Sequence, residues 1–181
     1  MGGAGSNEHG KARMNTGHER LANDDDAAPL EMLAQLFEAH GWPCEFVGEE
    51  ELSGEIQGSW TTYQLRCIWR AEDGVLQLLC LPEIRVPQAK MGDAFELVAL
   101  INEQLWLGHF DVWSRGGVLL YRHGLMLGSE GTLGLDMAQT AVEAAVSECD
   151  RFYPAFQFVL WGDKSPRQAL DAALVDAAGE A

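Results

Sequence analysis

The sequence has few positive charges, no long hydrophobic run and no paired cysteines. Its 181 residues contain 12 Lys and Arg against 28 Asp and Glu, a formal net charge of −16. No apolar run approaches the ~18 residues that a membrane-spanning helix needs, and the N-terminus lacks the charged start and apolar core of a signal peptide. Cys44, Cys67, Cys80 and Cys149 form no CxxC pair and have no metal-ligand spacing. We therefore expect a cytoplasmic protein with reduced thiols and no cofactor.

The shortage of positive charge belongs to the part of the chain that folds. The first 28 residues hold three of the 12 cationic and five of the 28 anionic side chains, which leaves nine cationic and 23 anionic side chains in the remainder. A surface this negative repels phosphate backbones and anionic lipids, so nucleic acid and membranes are poor candidates as partners. A basic or neutral polypeptide fits better, although many cytosolic domains are simply acidic.

Sequence motifs that carry catalysis are also missing. The glycines of GLMLGSEGTLG, residues 124–134, are followed by no Lys-Ser/Thr pair and form no GxGxxG, so they do not make a phosphate loop. No serine lies in a GxSxG elbow, and no cysteine lies in a recognisable protease context. These absences favour a non-enzymatic protein, with an unrecognised enzyme as the alternative.

Three small groups of polar residues have structural explanations. His109 and His123 flank a predicted hairpin, but no third ligand stands at a fixed spacing from them, so we expect no metal there. The three glutamates at 49–51 fit a solvated turn better than a cation site. Cys67 and Cys80 fall on neighbouring strands, where buried thiols are favoured because directly opposed strand residues rarely meet disulfide geometry. We therefore name no catalytic, cofactor-binding or metal-binding residue.

The first 28 residues predict a disordered tail. They are rich in Gly, Asn, Asp and Ala and have scarcely an apolar side chain to bury. Met1 and Met14 are both possible translation starts. The opening MGGAGS fits a myristoylation pattern, but a match in a short Gly-rich tail carries little weight. Residues 29–178 then predict one domain, since a 47% apolar composition can supply a proper core.

The first two helices are indicated by apolar residues at spacings of three and four. Pro29 and Gly41 are typical of the first turn and the stop of a helix whose buried stripe includes Leu30, Leu33 and Phe37.

The helix at residues 93–106 should bury Phe95, Val98, Ile101 and Leu105. Gly108 fits its C-terminal stop, because glycine takes the left-handed conformation without strain.

Two more helices are expected near the C-terminus. The helix at residues 135–152 should kink or restart at Pro154, since an interior proline costs about 3 kcal/mol. Ser165, Pro166 and Gln168 then form a capping-box signature for a thin, peripheral last helix. The apolar line of the longer helix consists of Ala138, Val142, Ala145, Cys149 and Phe152.

Residues 44–81 read as strands that end in a hairpin. Asp73 and Gly74 favour a two-residue turn, which places Cys67 opposite Cys80 and Trp69 opposite Leu78. Directly opposed residues share a face of the sheet. The face assigned to the helices carries Tyr63, Leu65, Cys67, Trp69, Leu78 and Cys80, and the other carries Arg66, Ile68, Arg70, Gln77, Leu79 and Leu81.

A second hairpin lies at residues 109–123, with two possible registers. A Gly116-Gly117 loop pairs Asp111 with Arg122, a favourable cross-strand ion pair, and we prefer it. An Arg115-Gly116 loop would instead place Asp111 opposite Leu120.

The order of these elements, with two sequence stretches, resembles the YbjN-domain family of bacterial proteins over residues 30–175. The stretches are INEQLWLGHFDVW…VLLYRHGL and DRFYPAFQFVLWG…SPRQAL. The resemblance implies a fold like the type III secretion chaperones, often dimeric, and a loosely described role in sensory transduction or stress regulation, with no established catalytic residue to carry over. The residues that carry it are Trp60, Tyr63, Trp69, Asn102, Gly108, Phe110, Tyr121, Arg122, Tyr153, Pro154, Trp161 and Gly162.

We therefore expect a two-layer α+β domain of order α-β-β-β-α-β-β-α with a further helix, an antiparallel sheet and helices mainly on one side. The sheet face without helices keeps an apolar strip, which usually marks a contact surface for a protein partner or a homodimer. The competing interpretation is that Phe156, Phe158 and Trp161 fold back over this face. The apolar strip consists of Ile68, Leu79, Leu81, Trp113 and Leu120.

Three functions follow from this expectation. The first is a non-enzymatic chaperone or adaptor that holds a peptide. The second is a regulatory module whose dimerisation or small ligand sets a stress or sensory response. The third is an unrecognised enzyme, which a deep pocket with convergent polar groups would favour.

Overall fold

The computed structural model describes residues 26–128 and 130–179, together with Met1. The chain forms a short strand, a helix, four strands, a second helix after a 3-10 turn at Gln88–Lys90, three strands and two helices. In order these are β1 (Asp26–Ala27), α1 (Pro29–His40), β2 (Cys44–Phe46), β3 (Glu51–Gln57), β4 (Thr62–Arg70), β5 (Val75–Leu81), α2 (Met91–Asn102), β6 (His109–Trp113), β7 (Val118–Met126), β8 (Leu133–Gly134), α3 (Leu135–Leu160) and α4 (Pro166–Gly179).

Six strands form one antiparallel sheet in the order β2-β3-β4-β5-β7-β6. The predicted α+β class and antiparallel sheet are confirmed, with one strand more than predicted because Cys44–Phe46 pairs with β3 as a separate edge strand. Helices α1, α2 and α3 pack on one face of this sheet. Of the predicted tail, residues 2–25 lie outside the described part, and β1 pairs with β8 beside α1 and α3.

The core lies between the sheet and the helices. The face assigned to the helices from the sequence is the buried one, with Trp69 packed partly against the core. At its centre Phe110 lies 5.4 Å from Tyr121, 5.9 Å from Phe152 and 5.5 Å from Phe156, measured between ring centroids. These aromatic contacts connect β6, β7 and α3, so one side chain joins the edge hairpin to the longest helix.

The register of the first hairpin is shifted by two residues from the predicted one. Cys67 lies opposite Leu78 and Trp69 opposite Leu76, so the loop spans residues 71–74 rather than two residues. Gly74 takes φ 63°, and its carbonyl accepts the Leu127 N–H at 2.9 Å, which ties the loop to the end of β7. A shift of two residues preserves which side chains share a face, because side chains alternate with a period of two.

The preferred register of the second hairpin is wrong. Asp111 lies opposite Leu120, as in the rejected alternative, and the loop spans residues 114–117. The carbonyl of Gly117 accepts the Val86 N–H at 2.8 Å, which holds the loop against the segment before α2. Asp111 still lies 3.8 Å from Arg122 across the diagonal, so the predicted ion pair forms without direct opposition.

Helix α2 differs from the prediction at Phe95 and ends earlier. The predicted Ile101 is buried, and Val98 and Leu105 pack partly against the core. Ala94, Leu97 and Ile101 are buried, whereas Phe95 is 46% exposed. The helix ends at Asn102 because its side-chain amide donates to the Phe110 carbonyl at 3.1 Å and accepts the Phe110 N–H at 2.8 Å. The Asn102 side chain thus lies at the end of α2 and also attaches β6 to it.

Helix α3 runs through Pro154 instead of breaking there. A proline removes the N–H that would bond the carbonyl four residues earlier, here that of Asp150. The Trp60 indole N–H donates to that carbonyl at 3.0 Å and replaces the missing donor. Because the helix continues, Phe156 enters the core and Trp161 is 62% exposed, so the C-terminal segment does not fold back over the other sheet face.

The predicted capping box of α4 is confirmed. Ser165 N–H donates to the Gln168 side chain at 3.1 Å, and Gln168 N–H donates to the Ser165 hydroxyl at 3.4 Å. The helix buries Ala169, Leu170 and Ala173 against α2 and α3.

We predict that His123 makes the domain less stable below neutral pH. It is 8% exposed on the buried sheet face, where burial lowers its pKa below 6.5 and its Nδ1 has no partner within the described part of the chain. His123 therefore binds a proton more readily in the unfolded chain than in the folded one. The free energy of unfolding falls as pH drops below about 6.5, by at most ~1.4 kcal/mol per pH unit.

Urea unfolding of His123→Gln between pH 7.5 and 5 should show a flatter pH dependence than the parent chain. His109→Gln, at an exposed position in β6, is the matched control. Equal slopes for the parent and His123→Gln would contradict the prediction.

Candidate protein-binding surfaces

A groove of about 1130 Å³ opens between the turn that joins β3 to β4 and the surface of α3 and α4. Two indole rings, Trp42 after α1 and Trp60 in the turn, line it together with apolar side chains of the two helices. Its volume exceeds the ~300–1,000 Å³ of most small-molecule sites, so a polypeptide segment would fill it better. The lining consists of Trp42, Ile56, Gln57, Ser59, Trp60, Val142, Glu143, Val146, Ser147, Asp150, Arg151, Pro154, Ala173 and Val175.

The carboxylate of Asp150 fixes one wall of this groove. It accepts the Ser59 N–H at 2.9 and 3.0 Å, the Ser59 hydroxyl at 2.8 Å and the Tyr63 hydroxyl at 2.5 Å. The Trp60 ring stacks on Tyr153 at 6.2 Å between centroids with an interplanar angle of 5°. The β3–β4 turn is therefore held on α3 by charge-assisted bonds, which are stronger than neutral ones.

Burial, together with the hydrogen bond to Asp150, raises the pKa of Tyr63 far above its ordinary value of 10.0. Tyr63 therefore stays a neutral donor, and Asp150 has a permanent partner in the core.

The other charged groups of the groove are also engaged. The Glu143 carboxylate accepts from Gln139 at 2.7 Å, and Arg151 lies 3.7 Å from Glu148 and 4.8 Å from the Phe152 ring centroid. What the groove offers a ligand is apolar surface between satisfied charges, an arrangement suited to binding.

The apolar strip predicted from the sequence lies on the sheet face opposite the helices. The strand register places all five residues there, and no element of residues 26–128 and 130–179 packs over them. Leu79 is 2% and Leu120 0% exposed, while Trp113 is 37% exposed. Ile68 and Leu81 are half-buried. The centre of the strip is therefore buried, and its margin is accessible to a partner.

Ion pairs flank the strip on both sides. Arg66 makes a two-bond contact with Glu51 at 2.6 and 3.0 Å, and Arg122 lies 3.8 Å from Asp111. The hydrogen bond from Arg66 lowers the pKa of Glu51. The charges that flank the strip are therefore neutralised within the chain. Glu45 and Glu55 lie farther out on the same face and have no ion-pair partner among the described residues.

The histidines and cysteines considered as possible metal or redox sites do not lie together in one site. His109 and His123 point to opposite sheet faces, and no group of three or more His, Cys, Asp or Glu able to hold a metal occurs among the described residues. Burial raises the pKa of the Cys67 thiol to about 12, which suppresses thiolate chemistry. All four cysteines, each within the described part, are free.

Comparison with known proteins assigns the family. The sequence model of the YbjN family, described as "Putative bacterial sensory transduction regulator", matches residues 29–158. The chain belongs to the YbjN family. Among solved structures it is similar to "Crystal structure of YbjN, a putative transcription regulator from E. coli", with a TM-score of 0.47, 12% identity, and coverage of 81% of this chain and 93% of that chain. No curated protein matches it.

The family description supports a regulatory role for this YbjN-family chain. Within the described residues, no helix is long and apolar enough to cross a membrane.

Sequence reasoning missed the groove and the function of Asp150 in it. The sequence placed Tyr63 on the buried sheet face, predicted a break in the helix at Pro154 and named Trp60 only as a residue that carries the YbjN resemblance. A signal was available: a proline inside a helical pattern leaves a carbonyl without a partner, and an indole elsewhere in the chain can supply a donor.

We predict that the Trp60 indole and Pro154 are coupled. Trp60→Phe removes the donor to the Asp150 carbonyl and should lower the free energy of unfolding by ~1 kcal/mol. In a Pro154→Ala background the new backbone N–H can bond that carbonyl, so Trp60→Phe should have a smaller effect.

Urea unfolding of the parent, both single variants and the double variant gives the coupling directly. Equal effects of Trp60→Phe in the two backgrounds would show that the indole does not replace the missing N–H.

Proposed function

We propose that this protein is a non-enzymatic regulatory module that binds a protein through its uncovered sheet face. The single observation that supports this is the apolar strip on a face over which nothing in the described part of the chain packs. An antiparallel sheet face left to solvent normally alternates into polar residues, and apolar residues along it indicate a contact surface.

The accessible margin of the strip supplies the contact. Trp113 is large, partly exposed and on an edge strand, the kind of side chain that contributes most to protein interfaces. Leu79 and Leu120, which are buried, form the apolar centre of the same strip. Arg66 and Arg122 already have carboxylate partners, so a binding protein need not supply counter-charges at those two positions.

A second copy of the chain and a different protein both fit this face. A second copy fits because the strip is apolar and the charges beside it are paired, whereas a net charge of −16 opposes most other approaches of two copies. A partner protein would make the module a chaperone or adaptor. In either case the bound state of the sheet face would set the regulatory response.

We predict that Leu81→Glu with Trp113→Glu weakens association at least ~tenfold, because two charges would be buried without partners. The matched control is Phe95→Glu with Trp106→Glu, which changes exposed apolar residues on α2 and in the following loop. Both pairs should keep the circular dichroism of the parent, since all four side chains are at least partly exposed.

Sedimentation measures self-association of the parent and both double variants. A partner recovered by crosslinking from the source organism is purified and titrated against the same three proteins. Unchanged association of folded Leu81→Glu/Trp113→Glu would place the contact surface elsewhere.

A second candidate function is a ligand-responsive regulator, favoured by the groove between Trp42 and Trp60. An apolar ligand seated there would contact both indole rings, so titration should change tryptophan fluorescence, and Trp60→Ala should weaken the response. Because Asp150, Glu143 and Arg151 are engaged in structural contacts, the groove favours binding over an enzymatic role.

A further inference from the structure

The two outer strands of the sheet differ in how their free edges are treated. On β6, the Asn102 amide satisfies both the N–H and the carbonyl of Phe110, and the Val112 N–H donates to the Asp111 side chain at 2.8 Å. Side chains thus occupy three outward-facing backbone groups of this edge, a device that hinders pairing with a further strand.

On the opposite edge, β2, no side chain of the described residues bonds to the outward-facing backbone groups. The β2 segment bonds to its neighbour β3 through the backbone of alternate residues. Glu55 N–H donates to the Pro43 carbonyl at 3.0 Å, and Val47 N–H donates to the Glu51 carbonyl at 2.8 Å. In an antiparallel pair the intervening residues point their N–H and carbonyl groups away. Those of Cys44 and Phe46 therefore face outward, and no strand in the described ranges pairs with them.

Apolar side chains stand beside these free backbone groups. Phe46 is 54% exposed and Val47 52% exposed, although both are large and hydrophobic. Because successive strand residues point to opposite faces, an added strand would meet one apolar side chain on each side of the sheet.

The surroundings of this edge are strongly acidic. Residues 29–65 contain seven glutamates and no Lys or Arg. Arg66 pairs with Glu51, but the exposed side chains of Glu45, Glu49 and Glu55 have no ion-pair partner within the described part of the chain. Charge complementarity therefore favours a cationic ligand, and it disfavours a second copy, which would bring two such glutamate clusters together.

We propose that β2 accepts an added β-strand from a basic, extended segment of another protein, one that alternates Lys or Arg with apolar residues. Main-chain hydrogen bonds to Cys44 and Phe46 supply the pairing, Phe46 and Val47 contact the apolar side chains, and the glutamates attract the cationic ones. This site is the β2 edge of the sheet and not the apolar strip, and its test does not depend on that proposal.

The test uses the full chain and a fluorescent peptide that alternates Lys and Val, followed by anisotropy. Phe46→Pro removes the outward N–H and the phenyl ring, and it leaves the β2–β3 hydrogen bonds intact because proline is tolerated where an edge N–H faces solvent. We expect binding at least ~tenfold weaker than in the parent, with Phe46→Ala intermediate because it keeps the N–H. Trp106→Ser, at a 99% exposed residue far along the sheet, should bind as the parent does.

Two further probes separate strand addition from simple charge attraction. The same peptide with N-methyl groups on alternate backbone nitrogens should lose binding, and a peptide alternating Glu and Val should not bind. Equal binding of the N-methylated and unmodified peptides would overturn the proposal, as would unchanged binding by Phe46→Pro. Self-association of the parent that Phe46→Pro abolishes would overturn it in favour of a second copy. If Phe46→Pro fails to fold, the N-methylated peptide and Phe46→Ala decide the question.

Discussion

The contact between Asp150 and the β3–β4 turn is the constraint on which much of this structure depends. Asp150 uses its carboxylate to hold Ser59 and Tyr63 and its carbonyl to accept the Trp60 indole. Pro154 leaves that carbonyl free, so a residue that would otherwise break α3 instead provides the attachment point for the sheet. Because α3 then continues to Leu160, Phe156 reaches the core and the groove has a rigid wall.

Periodicity predicted which side chains share a sheet face but not which residues oppose one another. In both hairpins the actual register differs from the preferred one by two residues, a shift that changes no side chain's face. The choice between such registers depends on distant contacts, such as Gly117 with Val86 and Gly74 with Leu127. Local turn propensity does not contain that information, so the apolar strip could be located from the sequence while its cross-strand neighbours could not.

The exposure of Phe95 on α2 and the groove were unpredictable for a related reason. Phe95 is more hydrophobic than Ala94, yet the helix buries Ala94 and leaves Phe95 46% exposed. A small residue at the close contact is a packing requirement that hydrophobicity does not reveal. The groove likewise arises from four separated segments, and only their packing brings the two indole rings to one cavity.

The distribution of charge connects the two proposed surfaces. On the uncovered sheet face, arginines of β4 and β7 pair with carboxylates of β3 and β6, so the centre of that face is nearly neutral. At β2 the glutamates outnumber the cations, and this edge carries an electrostatic field that falls off over about 8 Å at physiological salt. A basic segment would be drawn first to the edge, while a neutral apolar surface would have no such preference and would bind the face. One domain with these two kinds of surface can hold a basic segment and a second protein together, which is what an adaptor requires.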